Sequence, residues 1–188
     1  MFLTAMLTGT ARSQAAGPGD NTSPATSTAA ERRAERRAAL FAALEQTESE
    51  AEARVIEEAI WKLWFTAPDS RAQSLIDAAR ERRRGGDLSG AIYALDELIA
   101  DYPDYAEGWN QRATLYYMQG NFQDSLADVE EVLAREPRHF GALSGKVLIL
   151  MRLGQTRDAQ ITLRSALRID PWLHERRLQL PEYREEKL

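Results

Sequence analysis

Glycine and proline return together along this chain, each at an interval of 34 residues. The glycines are Gly86, Gly120 and Gly154, and the prolines are Pro103, Pro137 and Pro171. Each glycine precedes its proline by 17 residues, so two unrelated residue types hold one register. Such self-similarity marks a stacked repeat architecture. Glycine enters left-handed backbone without a Cβ clash and ends helices. Proline cannot continue a helix and pushes the residue before it out of helical angles. The unit therefore reads as helix, glycine turn, helix, proline stop.

The intervening segments carry helical faces. In the middle unit, Trp109, Ala113, Tyr116 and Tyr117 recur at i, i+4, i+7 and i+8. Phe122, Leu126, Val129, Val132 and Leu133 form the face of a second helix. The first unit repeats this with Leu75, Ala79, Ala91, Leu95 and Leu98, and the third with Leu143, Val147, Ala159, Leu163 and Ala166. At these residues the chain resembles the tetratricopeptide repeat (TPR) family, best over Ala106 to Pro137. The resemblance implies an all-α, right-handed solenoid of helical hairpins, with three clear repeats over 69–171 (about 69–105, 106–139 and 140–171). Small residues at Ala79, Ala91, Ala113, Ser125 and Ala159 let helices approach closely, while Trp109, Tyr116 and Phe122 fill the space between hairpins. No single hairpin hides its own apolar stripe, so neighbours must stack. The chain departs from the family pattern in three places. Ala78, Arg112 and Lys146 replace a usual leucine, Arg82 and Leu150 a tyrosine, and Leu98 and Val132 an alanine.

Residues 31–68 read as a divergent N-terminal hairpin. It has helical runs Glu31–Gln46 and Ser49–Phe65 and is closed by Pro68, 35 residues before Pro103. Trp61, Trp64 and Phe65 are expected in the core, packed on Leu75 and Ile76, with a partner-binding aromatic patch as the alternative. Residues 172–188 form a short cap and tail, where Pro181 limits any helix to Trp172–Leu180. Residues 1–15 have the apolar run and small residues, Ser13 and Ala15, of an export signal. Residues 16–30 have the Gly, Pro and Ser content of a flexible linker. The expected location is periplasmic or secreted, with the cytoplasm as the alternative. No segment is long and apolar enough for a membrane span.

Composition narrows the function. The 24 basic and 29 acidic side chains give a net charge of −5, which argues against nucleic-acid binding. With no cysteine and two histidines, thiolate and imidazole chemistry have little material. His139 and His174 occupy equivalent turns and are expected to be solvent-exposed. Glu57-Glu58 and Glu130-Glu131 read as solvated carboxylate pairs. No phosphate loop or metalloprotease motif is present, so the reading is a non-enzyme with no cofactor and no metal. The run Arg80-Glu81-Arg82-Arg83-Arg84 complements the dipole at a helix C-terminus. The alternative is an anionic partner meeting Arg80 and Arg83.

The resemblance also implies a concave groove lined by leading helices. Its residues would be Gln73, Ile76, Arg80 and Arg83, then Glu107, Asn110, Thr114 and Tyr117, then Gly141, Ser144, Leu148 and Met151. Such a surface, basic at one end and apolar at the other, suits a peptide or protein segment. The family variant that grips a C-terminal carboxylate has Lys and Asn, then Asn, then Lys and Arg where this chain has Ile76 and Arg80, then Gln111, then Gly141 and Gly145, so none matches and binding of that type is not expected. The expected role is a protein-interaction scaffold. The alternative is a structural or self-associating protein that uses the cap or the Trp hairpin.

Overall fold

The computed structural model describes residues 28–183. The expected export signal, most of the expected linker and the last five residues lie outside that range. Among the described residues there are eight α-helices, two short 3₁₀ turns and no strand. The helices are α1 (Ala29–Gln46), α2 (Glu50–Trp64), α3 (Ser70–Arg84), α4 (Leu88–Asp101), α5 (Ala106–Gln119), α6 (Phe122–Arg135), α7 (Phe140–Arg152) and α8 (Thr156–Ile169). The trailing helices begin at Leu88, Phe122 and Thr156, which keeps the 34-residue register.

The punctuation works as the sequence predicts. Gly86, Gly120 and Gly154 have φ of +81°, +80° and +75°, the left-handed region. Tyr102, Glu136 and Asp170, each before a proline, close α4, α6 and α8 with φ near −130° or beyond. Side chains satisfy orphan N–H groups at the opposite ends. Asp69 accepts from the Ala72 amide at 2.9 Å and Asp87 from the Gly90 amide at 2.8 Å.

Within the array, α3 pairs with α4, α5 with α6 and α7 with α8, while α4 packs on α5 and α6 on α7. The small residues Ala79, Ala91, Ala113, Ser125 and Ala159 are all buried. The Ser125 hydroxyl donates to the Ala113 carbonyl at 2.7 Å, so a polar small residue is satisfied at a close helix approach. Trp109, expected in the interior, is only half-buried. Its indole N–H donates to the Pro103 carbonyl at 2.9 Å, and the guanidinium groups of Arg112 and Arg135 cover its faces.

The α1–α2 hairpin does not continue this stack. Trp61 and Trp64 pack at the other end of the array instead of on Leu75 and Ile76, and Phe65, expected in the core, is 48% exposed and stacks on Trp61. Phe41, Leu44, Ala53, Ile60 and Trp64 share one core with Phe140, Leu143, Ala166 and Leu173. The reason lies in what each end offers. The first repeat already fills its interior with its own residues, helped by Ala67 and Tyr105. Among the described residues no hairpin stacks after α8, and the face around Phe140, Leu143 and Ala166 is covered instead by α1, α2 and Leu173. The C-terminal segment supplies only part of that cover. Pro181 and the Asp170 side chain, which accepts from the Trp172 amide at 2.9 Å, leave 3₁₀ turns at His174–Leu178 and Pro181–Tyr183 instead of an α-helix.

Polar contacts pin the hairpin to that end. Arg37 pairs with Glu136, and the Arg138 guanidinium sits 4.1 Å over the Phe41 ring. The Trp172 indole N–H donates to the Thr47 carbonyl at 3.4 Å, and Arg176 donates to Glu50 at 2.9 Å.

Candidate functional site

The leading helices α3, α5 and α7 line the groove, and two cavities open on it. The first, about 140 Å³, lies between the second and third repeats and is walled by Asn110, Thr114, Tyr117 and Leu148. The second, about 340 Å³, is walled by Arg80, Arg83, Asn110, Gln111 and Thr114, with Trp61 and Phe65 of α2 opposite. The two share Asn110 and Thr114, so they form one path along the groove.

Eight of the twelve groove residues read from the sequence thus line this path, Glu107 and Gly141 among them. The Asn110 amide donates to Glu107 at 3.0 Å, and the Thr114 hydroxyl donates to the Asn110 carbonyl at 3.0 Å. The Tyr117 hydroxyl accepts from Arg152 at 3.2 Å while its ring packs on Phe122. Gln73, Ser144 and Met151 line neither cavity. Gln73 donates to Asp77 at 3.1 Å, the Ser144 hydroxyl donates to Glu175 at 3.1 Å, and Met151 is exposed on the rim. Ile76 is a correction, because it is buried in the core between α3 and α4 and offers nothing to the groove. Two of the lining positions lie deep in the wall. Glu107 is buried, and Gly141 lies under the Trp61 ring.

Trp61 and Phe65, read as core with a partner-binding aromatic patch as the alternative, were not assigned to the groove, whose cavity they line. Gly141 was the available signal, since glycine inside a helix is unfavourable unless something approaches closely. A Cβ at Gly141 would meet Trp61 Cη2 at 2.4 Å.

His139 is also corrected, because it is buried rather than exposed. Its Nδ1 accepts from the Ala142 amide at 3.1 Å, capping α7. Nδ1 is therefore the acceptor, which puts the proton of the neutral ring on Nε2. That nitrogen lies 3.5 Å from the Glu107 carboxylate. The Trp64 ring lies flat on the imidazole at 3.8 Å and 9°. A stacked indole and a used ring nitrogen make this histidine a structural joint between α2 and the array. His174 is exposed. Among the described residues, no group of three or more His, Asp or Glu side chains is placed to hold a metal.

Glu57 departs from the solvated pair expected with Glu58. It is half-buried and faces Asp170, and burial first, then the neighbouring carboxylate, pushes its carboxyl up to about 7. Glu58, Glu130 and Glu131 are exposed. No helix among the described residues is long and apolar enough to cross a membrane.

Comparison with known proteins agrees with the repeat geometry. The tetratricopeptide repeat family profile matches residues 76–129 and 110–171. A TPR repeat-containing protein of Rhizobium etli is 49% identical over 89 residues, covering 47% of this chain and 41% of that protein. The chain therefore spans less than half the length of that curated relative. The TPR2B-domain:pHsp70 complex of yeast Sti1 superposes with a TM-score of 0.54 at 21% identity, covering 58% of this chain and 90% of that one. The Arabidopsis OM64 TPR domain gives 0.55 at 16% identity, with coverage of 62% and 96%. These structural likenesses speak to the fold alone, a fold that serves in general as a scaffold for protein–protein interaction. From the stacked hairpins and the matched repeats, the chain belongs to the tetratricopeptide repeat family.

Proposed function

We propose that this chain is an interaction scaffold that seats a peptide or protein segment along its concave groove. The observation that carries this reading is the continuous path formed by two cavities sharing Asn110 and Thr114. Its walls change from guanidinium at Arg80 and Arg83 to apolar at Leu148. A graded surface of this kind reads an extended partner by charge at one end and by fit at the other. The test is capture from the native organism on the immobilised chain, beside Arg80→Glu and Tyr117→Ala. Retention of a defined protein that either change abolishes supports the groove, and retention indifferent to both removes it.

Self-association is a second reading, favoured by one observation. The outer face of the α1–α2 hairpin leaves Val55 68% exposed beside Ala43, Ala51 and Ile56 around an open recess. Sizing at several concentrations, with Val55→Glu alongside, separates this from the scaffold. We further propose export to the periplasm or medium, which N-terminal sequencing of the mature product decides.

A further inference from the structure

The larger groove cavity draws its walls from parts of the chain that are not neighbours in the stack. On one side is the Trp61–Phe65 pair of α2, with rings parallel to within 19° at 5.2 Å. Phe65 is 48% exposed, an unusual state for a phenylalanine beside a cavity. On the other side is the last turn of α3. There Arg80 pairs with Asp77, Arg82 with Asp87 and Arg84 with Glu81. Arg83 alone in that turn has no carboxylate partner among the described residues, and it lines the cavity. The one carboxylate in the cavity wall, Glu107, already accepts from Asn110 and faces His139.

We propose that the α1–α2 hairpin is a clasp whose Trp61–Phe65 pair completes a composite site, and that the site takes a peptide segment with an acidic side chain next to an aromatic one. The inference rests on the groove reading above and adds its second wall and its ligand chemistry. An exposed ion pair to Arg83 alone is worth little. A flat apolar surface beside it excludes water and gives a neighbouring aromatic side chain a face to stack on. The peptide form follows from the cavity's continuation past Asn110 and Thr114, which gives room for a chain to run on towards Tyr117 and Leu148. Ligand and clasp are then linked: whatever holds Trp61 in its seat holds the ligand, and the ligand holds the clasp shut.

Gly141 provides the probe. Gly141→Ala places a methyl where the Trp61 ring lies and evicts that ring, while raising the helix propensity of α7 itself. The ligand probe is an unlabelled heptapeptide, acetyl-Ser-Asp-Glu-Phe-Asp-Phe-Gly-amide, capped so that no terminal carboxylate is present. It is read by isothermal titration calorimetry against the full chain. Saturable binding is expected. It should fall at least tenfold for a peptide with lysines in place of the acids, for one with alanines in place of the phenylalanines, and for Arg83→Glu, Phe65→Ala and Gly141→Ala. Hydrogen exchange verifies that α5 and α6 remain folded in each variant. Should Gly141→Ala fail to fold, Phe65→Ala reads the same wall from a half-exposed side chain.

Loss on Arg83→Glu with full binding by Phe65→Ala and Gly141→Ala would overturn the composite wall and leave the groove standing. Tighter binding by Gly141→Ala would make the hairpin a plug and overturn the clasp. Equal binding of the lysine peptide, or no binding of any of the three peptides, would overturn the ligand chemistry. The groove itself is then judged by the capture experiment with Arg80→Glu and Tyr117→Ala.

Discussion

Arg112 of α5 forks onto Asp128 of α6, its Nε and Nη2 donating to the two carboxylate oxygens at 2.8 and 2.7 Å. The remaining Nη1 reaches Asp96 of α4 at 2.6 Å, so one guanidinium ties three consecutive helices. Trp109 and Tyr116 lie beneath it, with ring centroids 5.0 and 5.7 Å away. This is the position where the repeat pattern usually places leucine. Burial, the largest cause, together with the nearby Asp96 and Asp124 carboxylates, holds the Asp128 carboxyl above its ordinary value although the Arg112 fork pulls it down. Desolvation therefore offsets much of the attraction, and the pair contributes little net stability over apolar residues. Removing one partner is different. Arg112→Ala should cost about 3–5 kcal/mol in chemical denaturation, because Asp128 stays buried without its cation. The double change Arg112→Leu with Asp128→Leu should recover most of that. A double variant as unstable as the single one would show that the fork itself is indispensable.

Trp64 should govern hairpin docking without governing the array. Its ring is nearly buried and lies against His139, Phe140 and Phe41. Trp64→Ala should weaken docking by about 3–5 kcal/mol, the usual cost of truncating a buried tryptophan. Hydrogen exchange should then rise throughout α1 and α2 while α5 and α6 stay protected. Equal loss of protection across all eight helices would mean the hairpin and array fold as one unit.

The hairpin should also loosen as pH rises. Glu57 of α2 faces Asp170 at the end of α8, with Glu50, Arg54, Glu175 and Arg176 around the pair. An ordinary glutamate loses its proton near 4.5, whereas Glu57 keeps it to about 7. Between those values the folded chain binds a proton that the unfolded chain has lost. Stability from this group is therefore full below 4.5 and declines as pH climbs through 7. Asp170 is shifted in the same direction, mainly by burial. Exchange protection of α1–α2, measured from about pH 5 to about pH 8, should fall, and Glu57→Gln should flatten the profile. An unchanged slope in that variant would acquit the pair.

Two glycines one turn apart on α7 should respond oppositely to alanine. At Gly145 an added Cβ meets nothing within 4 Å, so Gly145→Ala should stabilise by about 0.5–1 kcal/mol through helix propensity. At Gly141 the same change collides with Trp61 and should lower the melting temperature of the hairpin core. Matching shifts for the two variants would place Trp61 elsewhere in solution.

Gly120→Ala tests the turn. Its left-handed φ of +80° costs a Cβ about 1–2 kcal/mol even though the space around it is open. Urea titration should show a lower midpoint with an unchanged slope.

The array was legible because its determinants are local. Left-handed glycines, pre-proline exits and buried alanines each declare themselves within one hairpin, and repetition makes them unmistakable. Pro68, 35 residues before Pro103, suggested that the first hairpin would stack on its sequence neighbour. A run of aromatic residues announces that it needs a partner and not which one. The choice was made by Phe140, Leu143 and Ala166, a face that no later hairpin covers among the described residues. His139 looked like an exposed turn because the indole that covers it comes from a distant helix. Ile76 fell on the wrong side of α3 because a repeat position fixes a direction along the solenoid and not the depth at which the side chain ends.

The joint between Thr47 and Trp172 spans 125 residues, and that between Arg37 and Glu136 spans 99. A solenoid normally matures as it is made, since each unit needs only the one before it. Here α1 and α2 leave the ribosome before α7 and α8, the helices they dock on. At ordinary synthesis rates the wait between Thr47 and Trp172 is roughly 6–25 s. Until His139 and Phe140 are made, Trp61 and Trp64 lack their cover from the array, and a nascent chain of this kind would depend on whatever shields aromatic helices during translation.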